Sequence, residues 1–476
     1  MRTILFLTTM VGAAQLAIAA QPAPLPDDQV VTRTQQVVEQ IMRRPEAVGL
    51  SVAVARGDRI IVEQGIGKAD LEFDAPANAQ TMFRIGSLTK QFTAASIMKL
   101  VERGRIKLDD DLHKYVPTFD TGGRMVTIRQ LLNHSSGVPN VTSQAGFVTD
   151  MAPRDLTNEQ VLATVKGVKF DFEPGKGWNY SNTGYYLLGM IIQAVDGRPY
   201  DRFMQEELFD PLGLTRTRHG SEREIIKNRA QGYSGGTAVS ARRNDAALSM
   251  IVPGAAGSLS STAGDLVRWQ IALVNGRAVS TDSWQQMIGS TVATTRGAVR
   301  YGFGLQVEEA EGMRRISHSG SIQGFNSVIH YLPEAGWYVA VISSSETLPS
   351  TVVAEQILAA LSGAAPAPVS RTAPKEGSEA ALRRFVAAVA KGEPDYSRMG
   401  VRLADTIRAQ QSAAQAQLQP LGAIDTVTFV NVGMAGNDVF NVNFTSGATM
   451  VISIGLDDEG KVVSAGLRPA EVPTAR

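Results

Sequence analysis

The sequence contains no cysteine. A chain without cysteine has no disulfide framework, no thiol nucleophile and no zinc–thiolate centre. Its fold must therefore be stabilised by apolar cores, and 476 residues are enough for two or three domains with substantial cores. A hydrophobic content of 43% and a charged content of 19% are typical of a globular protein.

An excess of either charge is also missing, because Lys+Arg and Asp+Glu both number 46. This excludes the basic surplus that is typical of proteins binding nucleic acids or anionic membranes. No apolar stretch reaches the roughly 18 residues that a membrane-spanning helix needs. We therefore expect a small-molecule or peptide substrate, no nucleic acid partner and no integral membrane segment after processing of the N-terminus.

Histidine is scarce, with five in the chain. No two of them stand at the His-x-x-x-His spacing of a helical zinc site. The acidic run Asp109–Asp111 lacks the spaced ligands and the closing glutamate of a calcium loop, and it is expected to be a solvated helix start. The sequence therefore predicts no metal site and no cofactor.

The N-terminus carries a targeting signal. Arg2 precedes an apolar run from Ile4 to Ala14, and small residues follow. This order is typical of a secretory signal peptide, and the apolar run is too short to span a bilayer. We predict a signal peptide over residues 1–20, cleaved after Ala19 or Ala20, and hence an exported protein that is periplasmic or extracellular.

Changes in composition divide the rest of the chain. A flexible lead-in is expected over 21–33, followed by a large domain over 34–361. Residues 362–378 are rich in Ala, Pro and Ser and predict a linker, and 379–476 predict a small α+β domain. The predicted elements of this small domain are helices at about 379–391 and 402–417 and strands at 424–432, 438–444, 449–455 and 461–467.

The strongest functional signal lies around Ser87 and Lys90. An extended run turns at Gly86 into a segment with apolar residues at helical spacing. On a helix, positions i and i+3 share one face, so the serine and the lysine can meet. Free backbone N–H groups at a helix start favour a serine nucleophile, and a desolvated lysine can act as its base. A second Ser-x-x-Lys, Ser96 with Lys99, falls on another face of the same helix.

Two further clusters add to this signal. Tyr180 and Asn182 lie on a loop in front of a predicted helix, where residues of functional sites are often found. His318 and Gly320 lie in a strand-like run, and the glycine is expected to let substrate approach the strand edge. His134, at the end of a short predicted helix, is expected to be a capping or core histidine.

The three clusters in this order resemble the serine β-lactamase and penicillin-binding-protein-like family. The similarity covers about 34–361 and is strongest to its class C-like branch, which includes DD-carboxypeptidases, D-aminopeptidases and esterases. Leu131–Gly137 and Phe172–Gly175 match framework stretches of this branch. The resemblance implies an α/β (α+β) β-lactamase/transpeptidase-like fold, with an antiparallel sheet flanked by helices and an all-helical subdomain. The small C-terminal domain more faintly resembles NTF2-like or cystatin-like domains.

The resemblance also implies roles for individual residues. Ser87 would be the nucleophile, Lys90 its proton-transfer partner, and Tyr180 a second base that protonates the leaving group. Asn182 would orient Lys90 and the substrate. The oxyanion hole would consist of the backbone N–H groups of Ser87 and Ser321.

His318 departs from the β-lactamases of this branch, most of which carry lysine at the corresponding position. A histidine is mostly neutral at pH 7, so it anchors a substrate carboxylate less well. We therefore expect an exported serine hydrolase acting through an acyl-enzyme on a D-amino-acid peptide, a β-lactam or a related amide or ester. The alternatives are a carboxylesterase of the same family and a non-catalytic binding protein on this fold. The sequence leaves the substrate, the oligomeric state and the role of the C-terminal domain open.

Overall fold

The computed structural model describes residues 25–144, 146–235, 242–294, 299–310, 313–362, 373–432, 437–457 and 459–469. The predicted signal peptide lies outside the described residues, as does most of the predicted linker. Among the described residues, none of the helices combines the length and the apolar character needed to cross a bilayer.

The strands are, in chain order, β1 (Gly49–Arg56), β2 (Arg59–Asp70), β3 (Ala75–Pro76), β4 (Phe83–Arg84), β5 (Arg218–His219), β6 (Tyr233–Gly235), β7 (Arg242–Asn244), β8 (Leu259–Ser261), β9 (Val292–Ala293), β10 (Val299–Tyr301), β11 (Gln306–Ala310), β12 (Met313–Ile322), β13 (Phe325–Leu332), β14 (Trp337–Ser343), β15 (Ile424–Val432), β16 (Asp438–Phe444), β17 (Thr449–Leu456) and β18 (Val462–Pro469).

The helices are α1 (Asp27–Met42), α2 (Thr89–Glu102), α3 (Ile128–Leu132), α4 (Asn158–Ala163), α5 (Asn182–Asp196), α6 (Tyr200–Met204), α7 (Asp210–Leu212), α8 (Gly254–Gly257), α9 (Ala263–Val274), α10 (Thr281–Gly289), α11 (Ser350–Leu361), α12 (Ser378–Lys391) and α13 (Val401–Leu418).

An antiparallel sheet organises the first part of the chain. Within the described residues it has nine strands, in the order β3-β2-β1-β14-β13-β12-β11-β10-β9. Two antiparallel hairpins contribute to it, since β1 pairs with β2 and β13 with β14. The two hairpins join through β1 and β14, where Val52 lies opposite Val341. The predicted α/β fold with an antiparallel sheet is therefore confirmed.

Strand β1 lies inside the sheet and is buried along nearly its whole length. Since side chains alternate along a strand, both of its faces are buried. Val52 and Val54 face a core shared with α1 and α11. Ala53 and Ala55 face the larger core, which also contains residues of α2, α5 and α9. Each fully buried valine or leucine stabilises the fold by about 1.5–3 kcal/mol relative to an exposed one. The sheet is thus the rigid support between two helical layers.

The helical part of this domain is built around α2, which is buried along most of its length. Phe92 on α2 stacks on Trp269 of α9 with ring centroids 4.0 Å apart. Contacts with α5 and α8 enclose the helix on its other sides. Burial of α2 fixes the position of the turn that precedes it, which carries Ser87.

The expected flexible lead-in over 21–33 is wrong from Asp27 onward, because α1 already begins there. Pro26 precedes the helix, and two aspartates occupy its first turn, where they interact favourably with the helix dipole. Val30, with no exposed surface, is part of the core behind the sheet. The polar sequence therefore begins an amphipathic helix.

The C-terminal part has its own core, formed by residues of α12, α13 and the strands β15 to β18. The four strands form a meander in the order β15-β16-β17-β18. All six elements lie within a few residues of the positions that the sequence predicts. The resemblance of this domain to NTF2-like or cystatin-like domains stays a prediction.

Candidate active site

Ser87 lies in a tight 3₁₀ turn, Gly86–Leu88, between β4 and α2. Gly86 has a φ of +50°, a conformation that glycine adopts with little strain. A Cβ atom on Gly86 would lie 3.1 Å from the carbonyl oxygen of Ser321 and 3.2 Å from its nitrogen. The nucleophile turn and the backbone of Ser321 on β12 are therefore adjacent, as the predicted oxyanion hole requires.

Gly320 packs against the segment that leads to Ser87. A Cβ atom at this position would collide with the carbonyl oxygen of Ile85 and with Ser327 Oγ. The Ser327 hydroxyl itself donates to the same carbonyl at 2.8 Å. The missing side chain thus allows close contact with the segment that leads to Ser87, while the expected approach of substrate to this strand edge stays a prediction.

Lys90 lies one turn after Ser87 and has no exposed surface. Its Nζ lies 3.1 Å from Ser87 Oγ, and it donates to Asn182 Oδ1 at 2.8 Å and to the carbonyl oxygen of Ala256 at 2.7 Å. All three partners are neutral. Burial without a compensating negative charge lowers the pKa of Lys90 well below its ordinary value.

These partners determine where the nitrogen lone pair of Lys90 points. A neutral amine has two hydrogens, and Asn182 Oδ1 and the Ala256 carbonyl can only accept them. The remaining tetrahedral direction, which holds the lone pair, then points to Ser87 Oγ. The deprotonated lysine is therefore oriented to take the hydroxyl proton.

The side-chain amide of Asn182 is held in one orientation. Its Nδ2 donates to Thr142 Oγ1 at 3.0 Å, so its Oδ1 faces Lys90. The backbone N–H of Asn182 donates to Asn140 Oδ1 at 3.1 Å. Ser181 caps α5 through the N–H of Gly184, as predicted. Asn182 thus occupies the orienting position that the family resemblance implies.

Tyr180 precedes this cap in an extended segment and is partly exposed. Lys90 Nζ lies 4.7 Å from the centre of its ring. The structure therefore brings Ser87, Lys90, Tyr180 and Asn182 together from two separate parts of the chain.

His134, which the sequence indicated only as a capping or core residue, supports the Tyr180 loop. Its Nδ1 accepts a hydrogen bond from the N–H of Ser181 at 3.2 Å, and its ring centroid lies 4.3 Å from that of Tyr180. Burial lowers the pKa of His134 well below its ordinary value, and the neighbouring Lys90 and His318 lower it further. The neutral imidazole therefore packs against the ring of Tyr180.

A backbone signal marks His134 as unusual, since its φ of +61° is rare for a residue other than glycine. A sequence pattern cannot show this conformation. The only sequence hint of a role for His134 was that Leu131–Gly137 and Phe172–Gly175 match framework stretches of the family. In the structure these two stretches are hydrogen-bonded to each other. Gly175 N donates to Ser135 O at 2.8 Å, and Asn179 N donates to His134 O at 3.1 Å.

His318 is buried in β12 and engaged on both ring nitrogens. Nδ1 lies 2.6 Å from the carbonyl oxygen of Ser319, which can only accept, so Nδ1 carries a hydrogen. In the neutral ring, Nε2 then accepts from the hydroxyl of Tyr301 at 2.8 Å. Tyr301, which no sequence motif indicated, thus engages the nitrogen that would otherwise be the one available to a substrate.

A cavity of about 540 Å³ opens in front of Ser87. Asn182 and Ser321 line it beside the nucleophile, and Phe147 and Leu248 line an apolar part. A cavity that combines a nucleophile, convergent polar groups and an apolar wall is typical of a small-molecule site.

Two other serines stand in suggestive patterns but in different local settings, although Ser234 also lines the cavity. Ser96 is fully buried in α2, and its hydroxyl donates to the Phe92 carbonyl at 2.9 Å. Ser234 belongs to a Gly-x-Ser-x-Gly stretch at 232–236. It lies on β6, which pairs with β7, and not at the strand-to-helix turn that this motif requires.

Comparison with known proteins agrees with this geometry. The β-lactamase family model matches residues 34–364. Penicillin-binding protein 4* of Bacillus subtilis (strain 168) is 30% identical over 292 residues, which are 59% of this chain and 64% of that protein. The match thus spans less than two thirds of the length of this curated relative.

Two solved structures are similar over their length. A D-amino acid amidase from Ochrobactrum anthropi SV3, complexed with L-phenylalanine amide, is 25% identical with a TM-score of 0.63, and the match covers 70% of this chain and 99% of that one. The octameric penicillin-binding protein homologue from Pyrococcus abyssi is also 25% identical with a TM-score of 0.63, covering 92% of this chain and 90% of that one. Because the family model matches residues 34–364, which is more than half of the chain, the chain belongs to the β-lactamase family of serine hydrolases.

Proposed function

We propose that the chain is an exported serine hydrolase that cleaves amide or ester bonds through an acyl-enzyme on Ser87. The observation that carries this proposal is the environment of Lys90. A buried amine whose other partners are a side-chain amide and a backbone carbonyl can hold its lone pair towards Ser87 Oγ at 3.1 Å. A lysine that served only stability would be expected to have a carboxylate partner or to reach water.

In the acylation step, Lys90 takes the proton of Ser87 as Oγ attacks the substrate carbonyl carbon. The resulting oxyanion accepts hydrogen bonds from the backbone N–H groups of Ser87 and Ser321, each worth about 3 kcal/mol of barrier lowering. Tyr180 gives a proton to the leaving nitrogen or oxygen as the carbonyl carbon bond to it breaks. Lys90, now an ammonium, returns a proton to Tyr180.

In the deacylation step, water replaces the leaving group. Tyr180 first passes its proton to Lys90, and the resulting phenolate takes one proton from the water as the water oxygen attacks the acyl carbon. Ser87 Oγ then leaves with the proton that the Lys90 ammonium returns. The acid product and the starting protonation states result, so no cofactor is consumed. The same residues serve both half-reactions in opposite directions.

The solved relatives support an amide as target, since one is a D-amino acid amidase held in complex with L-phenylalanine amide. An ester is attacked by the same steps with a better leaving group. The curated relative is a penicillin-binding protein, which supports β-lactams as acylating agents.

Export is part of this proposal. Residues 1–20 would form a cleaved signal peptide, and the mature protein would act in the periplasm or outside the cell as a hydrolase domain at 34–361 and a small domain at 379–476. Amino-terminal sequencing of secreted protein is expected to begin at Ala20 or Gln21. An unprocessed Met1 in protein recovered from the periplasm or the medium would contradict export by this route.

The catalytic proposal is tested by intact mass spectrometry after mixing with p-nitrophenyl acetate or nitrocefin. We expect a mass increase of one acyl group that peptide mapping places on Ser87, together with a burst of chromophore. Ser87→Ala is expected to lose both, while Ser96→Ala, which changes a serine in the same helix, keeps them. Acylation of the Ser87→Ala variant at the normal rate would refute the assignment.

A further inference from the structure

The cavity in front of Ser87 has an uneven charge distribution. Asp245 and Glu346 are the charged residues among its described lining, and no lysine or arginine lines it. Burial lowers the pKa of Lys90, which lies behind Ser87, well below its ordinary value. The described cavity wall is thus acidic on one side and carries no cationic partner for that acidity.

The two carboxyl groups come from separate segments that pack against one strand. The N–H of Asp245 donates to the carbonyl of Gly232 at 3.1 Å, and that of Glu346 donates to the carbonyl of Tyr233 at 3.0 Å. Glu346 Oε1 also accepts from the N–H of Gly324 at 3.3 Å. Backbone hydrogen bonds therefore fix the base of each side chain at the cavity.

One oxygen of this pair lacks a donor. Asp245 Oδ1 accepts from the N–H of Ala246 at 2.6 Å. Asp245 Oδ2 is buried and, within the described part of the chain, receives no hydrogen bond. A buried carboxylate oxygen without a donor is costly, on the order of 1–3 kcal/mol. While both carboxyl groups are ionised, the described residues supply no donor to this oxygen.

A proton can fill this role when the cavity is empty. Burial, together with the Asp245 carboxyl, raises the pKa of Glu346 to about 7. A hydrogen bond between the two carboxyl groups requires a proton on one of them. An ammonium group brings three donors and a positive charge, so it satisfies both carboxylates better than one shared proton does.

We infer that Asp245 and Glu346 bind a free amine of the substrate and select acyl groups that carry one. This inference rests on the proposed function, because it places the amine in the same cavity as the carbonyl that Ser87 attacks. The pair determines specificity and takes no part in bond making or breaking.

The rest of the cavity wall defines the remainder of the ligand. Phe147, Leu248, Val252 and Ile322 form apolar surface in the same cavity. An apolar side chain, an ammonium and a scissile carbonyl on one small molecule describe an amino acid amide, ester or N-terminal peptide unit. A carboxylate next to the scissile bond would instead face two acidic groups without a cation to bind it. Its binding is disfavoured by charge repulsion.

The test compares two substrates that differ only in the amine. These are phenylalanine p-nitroanilide, supplied as the D and L forms, and 3-phenylpropanoyl p-nitroanilide. We expect kcat/KM for the better phenylalanine enantiomer to exceed that for the des-amino compound at least tenfold. The double variant Asp245→Asn with Glu346→Gln is expected to bring this ratio close to one, with kcat/KM for the des-amino compound within threefold of the unmodified chain.

The matched control is Glu334→Gln, which neutralises an exposed carboxylate on the turn between β13 and β14 and is expected to leave the ratio unchanged. Equal kcat/KM for both substrates in the unmodified chain would overturn the inference, as would a ratio that survives in the double variant. Turnover of neither anilide, with Ser87 still acylated by p-nitrophenyl acetate, would overturn it too and leave the proposed function standing. Loss of that acylation in the unmodified chain would instead refute the proposed function. A melting temperature within a few degrees of the unmodified chain shows that the double variant is folded.

Discussion

Helix α2 and the turn before it contain the Ser-x-x-Lys pattern twice, and the two copies behave differently. Ser87 faces a cavity and contacts Lys90, whose other partners are Asn182 and a backbone carbonyl. Ser96 is fully buried and donates its hydroxyl hydrogen to the Phe92 carbonyl. Lys99 Nζ reaches the carbonyl of Ala278 at 3.4 Å. No hydrogen bond joins Ser96 to Lys99 in the part of the chain that the structure describes.

This difference shows that spacing alone does not make a serine reactive. In the first copy, the acceptors around Lys90 use two hydrogens of a neutral amine and leave its lone pair for Ser87. In the second copy, the serine is fully buried and its proton is already used within the helix. The environment of the lysine, more than the motif, carries the chemistry.

The largest difference between the two copies is expected when each serine is replaced by alanine. Ser87→Ala is expected to lower kcat by on the order of 10⁴ or more, because the covalent route disappears. Ser96→Ala is expected to keep kcat within twofold and to cost about 1 kcal/mol of stability through one lost hydrogen bond. Steady-state kinetics and thermal melting measure both. Equal activity losses in the two variants would show that the copies are not functionally distinct.

Replacing the lysines is expected to give the next largest effect on activity. Lys90→Met is expected to reduce the acylation rate by about 10²–10⁴, the contribution typical of a positioned general base, while Lys99→Met stays within twofold. Stopped-flow acylation with a p-nitrophenyl ester gives these rates.

The pH profile is an independent check on Lys90. Because burial lowers its pKa, the free amine exists below the ordinary lysine range, so acylation should persist at neutral pH and fall on acidification as the amine protonates. A profile that rises only near pH 10, the range of an exposed lysine, would contradict this role.

Gly320→Ala tests whether Ser87 depends on the support of β12, which Ser96 lacks. The new Cβ would collide with the Ile85 carbonyl and push the nucleophile turn out of place. We expect kcat to fall by about 10²-fold, as for displacements of a reacting group by about 1 Å, together with a lower melting temperature. Normal kcat in this variant would mean that the turn adapts without cost.

The smallest expected effect concerns the second part of the site. His134→Asn keeps a residue that tolerates a positive φ but removes the ring beneath Tyr180. We expect kcat to fall by about tenfold with little change in KM, since the Tyr180 loop loses the ring that packs against it. A matching variant at His330, a buried histidine of β13, should change stability and leave kcat alone. A KM effect without a kcat effect at His134 would argue against positioning.

Much of the fold follows from the sequence, because its signals are local. The helices and strands of the C-terminal domain, for example, follow from periodicity and turn residues. The beginning of α1 did not, because two aspartates and a proline suggested a solvated segment. In the structure, the proline precedes the helix and the two aspartates occupy its first turn. The burial of Val30 one turn later shows that this segment is helical and packed on the core.

The site was predictable where a motif marked it. Ser87, Lys90, Tyr180 and Asn182 meet as expected, although their catalytic roles stay a prediction. Three other features depend on contacts between distant segments. They are the packing of Gly320 against Ile85, the hydrogen bond between His318 and Tyr301, and the support of Tyr180 by His134. Asp245 and Glu346 belong to no motif, so their shared place at the cavity could not be derived from spacing.

The neutral surroundings of Lys90 have a consequence for ionic strength. Dissolved salt screens interactions between exposed charges and has little effect on contacts between neutral buried groups. Added sodium chloride should therefore leave acylation by a neutral ester almost unchanged. It should weaken binding of an ammonium substrate at the carboxyl pair, so salt alone separates recognition from chemistry in this cavity.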